Sequence, residues 1–419
     1  MASTTSEPSA PAPTVSETQA PTYSPRYIDI GINLADPIFR GRYHGKQRHP
    51  DDLKAVVQRA KDVGCTKMIV TGSSFKSSRN ALKLAEEFPG TVYTTAGIHP
   101  CNSVIFTSSH PHHHEADDDE HTAACDPDPD KPISDEATVD AARSDSIIAD
   151  LRDLVAEARS SRGLVAFGEF GLDYDRLHYC TKAAQLHSFR AQLGLAASLR
   201  PQLPLFLHSR ACHADFVALL REAFGERLER LERGGVVHSF TGTADEAREL
   251  MDLGLHIGVN GCSFKTADNC AVVREIRLDR LMIETDGPWC EVRPTHEGWK
   301  YLVDKKPEGT PSDGSAAAAV TSAGANGAPE APANGNAGGK KQGSRKQPQK
   351  KEPEVPERFK SVKKEKWVEG AMIKGRNEPC SIERIAKIVA GIKGVTVEEV
   401  CEAAWANTVK VFGLERTET

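Results

Sequence analysis

Glu169, His208, His238 and Asp286 are the residues with the most chemistry to offer, and each closes a short apolar run. The runs lie at 164–167, 204–207, 235–237 and 280–285, with Gly168 interposed before Glu169. A carboxylate at the mouth of a buried strand is expensive to desolvate unless a cation faces it. Two carboxylates and two imidazoles form a donor set for Mg²⁺, Mn²⁺ or Zn²⁺ that leaves positions for water and substrate oxygens. Taken one at a time, a strand-end His is more often a hydrogen-bonded core residue, and a lone Asp or Glu a cap or ion-pair partner. The joint pattern, on four strand ends in the order Glu, His, His, Asp, is what points to a metal site.

Those four strands need a scaffold, and the chain supplies a repeating one. Apolar runs at 27–34, 67–72, 91–99, 164–167, 204–207, 235–237, 255–260 and 280–285 read as eight strands. Helical periodicity separates nearly all neighbours. At 51–63 the face is Leu53, Val56, Val57, Ala60 and Val63, with Pro50 suited to the first turn and Gly64 as the stop. At 77–88 a helix capped by Ser77 or Ser78 is expected. Further helices are expected at 146–160, 181–199, through Phe216, Leu219 and Leu220, at 244–253 and at 268–276, then at 382–392 and 397–412. Such alternation predicts the α/β class and a (β/α)8 TIM barrel with disordered insertions, whose active site lies at the C-terminal strand ends.

Composition marks what lies outside that barrel. Hydrophobic residues make up only 39% of 419, low for a chain that is globular throughout. Residues 1–25 read as a disordered tail, 26–303 plus 367–415 as the barrel, 103–145 as an insertion loop and 304–366 as a disordered, Lys-rich insertion. The His112-His113-His114 tract is an insertion feature before it is a metal site. The basic run after Gly339 fits a nuclear-import signal, a phosphate tether or a solvated linker equally. A net charge of −6 excludes a uniformly basic nucleic-acid coat. The ten cysteines show no CxxC pair and read as small, reduced core residues. With no apolar stretch near the length of a membrane span, a non-membrane protein of the cytoplasm and/or nucleus is expected, with a monomer as its state.

The motifs then resemble those of the TatD family of metal-dependent deoxyribonucleases, in its eukaryotic branch. They are DIGINLADPIFRGRYHGKQRHPDDL from Asp29, GIHPCN from Gly97, GEFGLDYDR from Gly168, LPLFLHSR from Leu203, VVHSFTGT from Val236, IGVNGCSFKT from Ile257, LMIETDGPWCEVRPTH from Leu281 and RNEPC from Arg376. The resemblance implies a metal-dependent hydrolase acting on DNA phosphodiester bonds, trimming from the 3′ end, in DNA repair or DNA fragmentation. It implies one or two divalent ions per chain, Mg²⁺ first and Mn²⁺ or Zn²⁺ as alternatives. Glu169, His208, His238 and Asp286 would be the metal ligands, Glu169 and Asp286 the catalytic carboxylates, and Asp286 the base. The wider superfamily opens with His-x-His where this chain has Gly31 and Asn33. Asn33 would then offer a neutral oxygen, and Asp29 would reach the site or orient backbone. His99 and Arg210 are further candidate contacts to metal or substrate. Arg176, Lys265 and Arg293 are candidate phosphate contacts, and Trp289 is a candidate base-stacking or packing residue. An amidohydrolase of small amides or esters and a catalytically silent nucleic-acid-binding barrel are the rival expectations.

Overall fold

Eight strands hydrogen-bond in chain order, every neighbouring pair parallel. They are β1 Tyr27–Ile32, β2 Cys65–Val70, β3 Val92–Ala96, β4 Leu164–Asp173, β5 Leu205–Arg210, β6 Gly235–Val237, β7 His256–Val259 and β8 Leu281–Ile283. Between them lie α1 Leu53–Asp62, α2 Phe75–Glu87, α3 Ala141–Ser160, α4 Lys182–Ser198, α5 His213–Phe224, α6 Ala244–Asp252 and α7 Ala267–Glu275. The last helices, α8 Ile382–Lys393 and α9 Val397–Phe412, complete the outer ring. The ring of strands closes where Asp286 N–H donates to the Gly31 carbonyl and Asn33 N–H to that of Gly287, both at 2.8 Å. This computed structural model describes residues 23–108, 138–161, 163–303 and 355–414.

Alternation along the strands sets which side chains enter the barrel. Ile28 and Ile30 of β1, Ile69, Ala166, Phe206, Val236 and Met282 form the interior cluster. Their chain neighbours Leu205, Leu207, Val237, Leu281 and Ile283 face the helices instead. Val411, Phe412 and Leu414, at the end of α9, join the interior cluster and floor the barrel. Asn407 holds α9 in place by donating to the carbonyls of Leu278 and Leu281, each at 2.8 Å.

Several boundaries differ from expectation for local reasons. The cap of α2 is Ser74, not Ser77 or Ser78. Ser77 sits three residues in and completes a capping box, its Oγ accepting from Ser74 N–H at 2.8 Å. Pro50 lies outside α1, whose first N–H, that of Leu53, is satisfied by Asp51 Oδ1. The expected loop at 103–145 is shorter at both ends. Residues Pro100–Phe106 form a 3-10 turn, Thr107 and Val139 pair, and α3 starts at Ala141. The segment expected to be structureless to 366 is structured from Val355, and Ser361–Val362 pairs with Met372–Ile373. Tyr23 belongs to the packed chain, its hydroxyl donating to Glu402. The His112–His114 tract and the basic run at 340–351 lie outside the described residues.

Candidate metal centre

The inward parity of the strands continues past the apolar layer and delivers the polar groups. Two residues beyond Phe206 is His208, two beyond Val236 is His238, and two and four beyond Met282 are Glu284 and Asp286. Strand β4 needs a bulge. Gly168 pairs with Phe206 while Phe170 pairs with Leu207, so Glu169 is the extra residue and is turned into the mouth. Gly168 adopts φ 144°, and a Cβ there would stand 2.1 Å from the Phe206 carbonyl oxygen, so only glycine fits. Glu169 N–H is satisfied by the Gly72 carbonyl at the end of β2.

Three imidazoles converge on one oxygen of Glu169. His238 Nε2 lies 2.6 Å from Oε1, His208 Nδ1 3.0 Å and His99 Nε2 3.4 Å. Ligand atoms of His99, Glu169 and His208 all lie within 4.8 Å of one another, the spacing of groups that share one ion. All four residues are buried, none more than 9% exposed. Two of the three imidazoles are backed by a second carboxylate, while the other nitrogen of His99 accepts from Cys101 N–H at 3.1 Å. Asp173 Oδ2 sits 3.0 Å from the other nitrogen of His208, and Glu284 Oε2 sits 3.5 Å from that of His238. Such carboxylate–imidazole pairs orient ligands around metals.

Asp286 belongs to the same mouth but stands one layer out and is partly accessible. Its carboxylate accepts from Asn33 Nδ2 at 3.1 Å and Cys290 Sγ at 3.3 Å, with Ser239 Oγ at 3.5 Å. Asp286 and Ser239 both hold left-handed backbone, φ 52° and 49°, strain of the sort that collects at functional sites. Ser239 is fixed by its N–H donating to Glu284 Oε1 at 2.5 Å, and Asn260 Nδ2 bridges the same oxygen and Ser239 Oγ.

Proton equilibria follow from this crowding. Burial alone would raise the Glu169 carboxyl, but His238, His99 and His208 outweigh it and hold it well below the ordinary carboxylate range. Burial opposes charge on His238 too, yet Glu169 and Glu284 push its pKa well above the usual imidazole value. Burial dominates at His99, which is lowered to about 3 and stays neutral. Desolvation, with Glu284 and Glu169 adding to it against His238, raises Asp286 to about 7. The cluster thus carries more carboxylate than fixed cation, and a proton on His238 partly offsets the excess. Glu284 is fully buried, and its Oε2 lacks a hydrogen-bond donor. An orphaned oxygen, surplus negative charge and mixed N/O donors are what a divalent cation fits.

One sequence expectation changes, at Asn33, and at Asp29 the backbone-orienting alternative is the one found. Asn33 does not offer its oxygen inward: Oδ1 accepts from Thr71 Oγ1 at 2.6 Å, and Nδ2 donates to Asp286 and to the Gly287 carbonyl. It positions Asp286. Asp29 is taken up by Gly31 N–H and by Thr285 N–H and Oγ, so it ties β1 to β8 rather than reaching the cavity. Glu284 was read as part of the strand run, although its parity with Met282 marks it as inward. Gly31 has a positive use as well, since a Cβ there would stand 2.3 Å from Glu284 Oε2. Glu284 occupies the space that a first-strand side chain would fill.

Around the rim, Arg210 donates to the Ser239 carbonyl at 3.3 Å, and its buried Nε has no hydrogen-bond partner among the described residues. Arg176 reaches Asp173 at 3.8 Å. Lys265 and Arg293 are exposed, and Trp289 is 47% exposed. Cys262 and Cys290 are not core residues: both are partly accessible, on the segments that follow β7 and β8.

A (β/α)8 barrel with a buried His–Glu–His group at the C-terminal strand ends defines a hydrolase of the metal-dependent class. Residues 28–323 match the family model described as TatD related DNase. The chain is 38% identical to a protein of Schizosaccharomyces pombe named deoxyribonuclease Tat-D, over 94% of this chain and 98% of that one. A Saccharomyces cerevisiae protein of the same name is 33% identical over 95% and 94%. Among solved structures, one described as an uncharacterized amidohydrolase from Saccharomyces cerevisiae superposes with TM-score 0.68 at 30% identity, covering 93% of this chain and all of that one. A TatD family hydrolase from Entamoeba histolytica gives 0.66 at 26% identity over 94% and 99%. The chain belongs to the TatD family.

Proposed function

We propose that this protein is a metal-dependent deoxyribonuclease that hydrolyses DNA phosphodiester bonds from the 3′ end. The observation that carries the reading is the Glu169 carboxylate set among three imidazoles, with surplus buried carboxylate behind them. The two yeast relatives are named deoxyribonucleases, and a 34% identical relative from Musicola paradisiaca is named a 3'-5' ssDNA/RNA exonuclease. Glu169, His208, His238 and Asp286 would hold the ion, with His99 beside them. Mg²⁺ is the first assignment, following the family resemblance; two carboxylates beside three imidazoles keep Mn²⁺ and Zn²⁺ as alternatives, with one or two ions per chain. A bound divalent ion there supplies Lewis-acid polarisation of the phosphoryl oxygen and lowers the pKa of water.

The chain's own groups do the rest. Asp286 is partly accessible and its raised pKa makes it a competent proton acceptor for the attacking water. Asn33 and Ser239 hold that carboxylate in place. Arg210, whose guanidinium donates to the Ser239 carbonyl, would bring positive charge near the phosphoryl oxygens. Exposed Trp289 offers a face for stacking the terminal base.

The test is hydrolysis of end-labelled single-stranded DNA with and without chelator, beside a panel of small amides and esters. Glu169→Ala, and His208→Ala with His238→Ala, are expected to lose hydrolysis by at least about 10³-fold while keeping the circular dichroism spectrum. Full activity of either variant refutes the site. Turnover of amides alone, or salt-sensitive DNA binding without turnover, replaces the nuclease reading with one of its rivals.

A further inference from the structure

Cys262 and Cys290 meet at the rim of the cavity with their sulfurs 2.7 Å apart. They come from different segments. Cys262 lies on the 3-10 turn Gly261–Phe264 after β7, and Cys290 follows the turn that Trp289 N–H closes on the Asp286 carbonyl after β8. The backbones are pressed together at this point: a Cβ on Gly261 would stand 1.8 Å from the Cys290 carbonyl oxygen. Asn260 fixes one side by capping Cys262 N–H at 2.9 Å. Asn377 fixes the other by donating to the Trp289 carbonyl at 2.8 Å. Both residues are partly accessible rather than sealed in the core, as a pair that meets a small oxidant must be.

We propose that Cys262 and Cys290 form a reversible, oxidant-responsive dithiol whose disulfide joins the two rim segments and restrains Asp286. A disulfide needs two sulfurs that can meet without backbone movement, and these two already lie 2.7 Å apart. The co-reactant is a hydroperoxide. Cys262 sulfur attacks the outer oxygen and the O–O bond breaks, giving a sulfenic acid and an alcohol, or water from hydrogen peroxide. Cys290 sulfur then attacks the sulfenic sulfur, and the hydroxyl leaves as water with the Cys290 proton. Two thiols lose two electrons in all and the peroxide gains them. The reaction also removes the Sγ–H that Cys290 directs at Asp286 Oδ2. The covalent step stands on geometry alone; its effect on turnover rests on the nuclease reading.

The experiment treats the full-length reduced protein with stoichiometric hydrogen peroxide, alkylates the remaining thiols under denaturing conditions, and maps peptides by mass. Expected is a linked pair of peptides carrying Cys262 and Cys290, lighter by two hydrogens and separated by dithiothreitol. Turnover of DNA should fall about tenfold, the scale of a small displacement at a reacting centre, and recover on reduction. Cys262→Ser should keep basal turnover and lose the response. Peroxide consumption with no such linked peptide overturns the dithiol. Linkage with unchanged turnover in an active enzyme overturns the coupling to Asp286. If the protein hydrolyses no DNA at all, the nuclease reading fails, and the peptide map still decides the dithiol.

Discussion

Two buried polar clusters built on carboxylates serve opposite purposes in this molecule. In one, Arg59 and Arg376 face Asp52 and Glu378, all four nearly inaccessible. Arg376 grips both oxygens of Asp52, at 2.8 and 2.6 Å, and Glu378 Oε1 at 2.9 Å, while Arg59 takes both oxygens of Glu378 at 2.8 and 3.1 Å. Two full positive charges meet two full negative ones, with only Arg376 Nε unpartnered. In the other, Glu169, Asp173 and Glu284 crowd three imidazoles, with Asp286 one layer out and no guanidinium bonded to the Glu169 oxygens among the described residues. Balance makes a clamp between the RNEPC segment and α1. Imbalance makes a place for a ligand. Burial by itself does not separate structure from function; the local charge sum does.

Breaking the balanced cluster should have the largest effect. Arg376→Met leaves Asp52 buried without its bidentate partner, while Glu378 keeps Arg59, and should cost about 3–5 kcal/mol of stability in urea denaturation. Metal binding per folded molecule should be unchanged. A loss under about 1 kcal/mol would rank the cluster with surface ion pairs and undo the contrast. The unbalanced cluster should respond in the reverse sense to added cation. At a hundred times its dissociation constant, a divalent ion should add about 2.7 kcal/mol in thermal melts, and Glu169→Gln should abolish the gain. If melts are indifferent to every divalent ion, the surplus charge has another explanation.

Two finer perturbations sharpen the contrast. Asp173→Asn keeps the shape behind His208 but removes the charge that orients it, so metal affinity by calorimetry should drop about 10–100-fold with little change in melting temperature. An unaltered affinity would make Asp173 a packing residue. Acidity should act on the metal centre alone. Below about 7 the Asp286 carboxyl carries a proton that an incoming cation must displace, and His238 holds its proton well above the ordinary imidazole range. Affinity should therefore fall with falling pH, about tenfold per unit for each proton displaced. A pH-independent affinity from 6 to 8 would exclude both from the ligand set.

The barrel was legible in the sequence because eight apolar runs and the helical spacing between them are local signals, and α9 coincides with its expected span. That Glu169, His208, His238 and Asp286 share one mouth was legible for the same reason, and His99 stands beside them. Glu284 was missed because a glutamate inside an apolar run reads as strand until the two-residue period from Met282 is followed. Asn33 was misassigned because which end of an amide faces a cavity depends on Thr71 and Gly287, partners distant in sequence. Cys262 and Cys290, 28 positions apart, show no spacing that announces their contact.

The floor of the barrel has a consequence for how the molecule comes into being. Val411, Phe412 and Leu414 are among the final residues described, yet they complete a layer begun by Ile28 and Ile30. A chain emerging amino end first must therefore hold this apolar layer incomplete from the synthesis of β1 until α9 has left the ribosome. Nascent barrels of this design depend on a shield, from a chaperone or from haste, for longer than their strand order would imply.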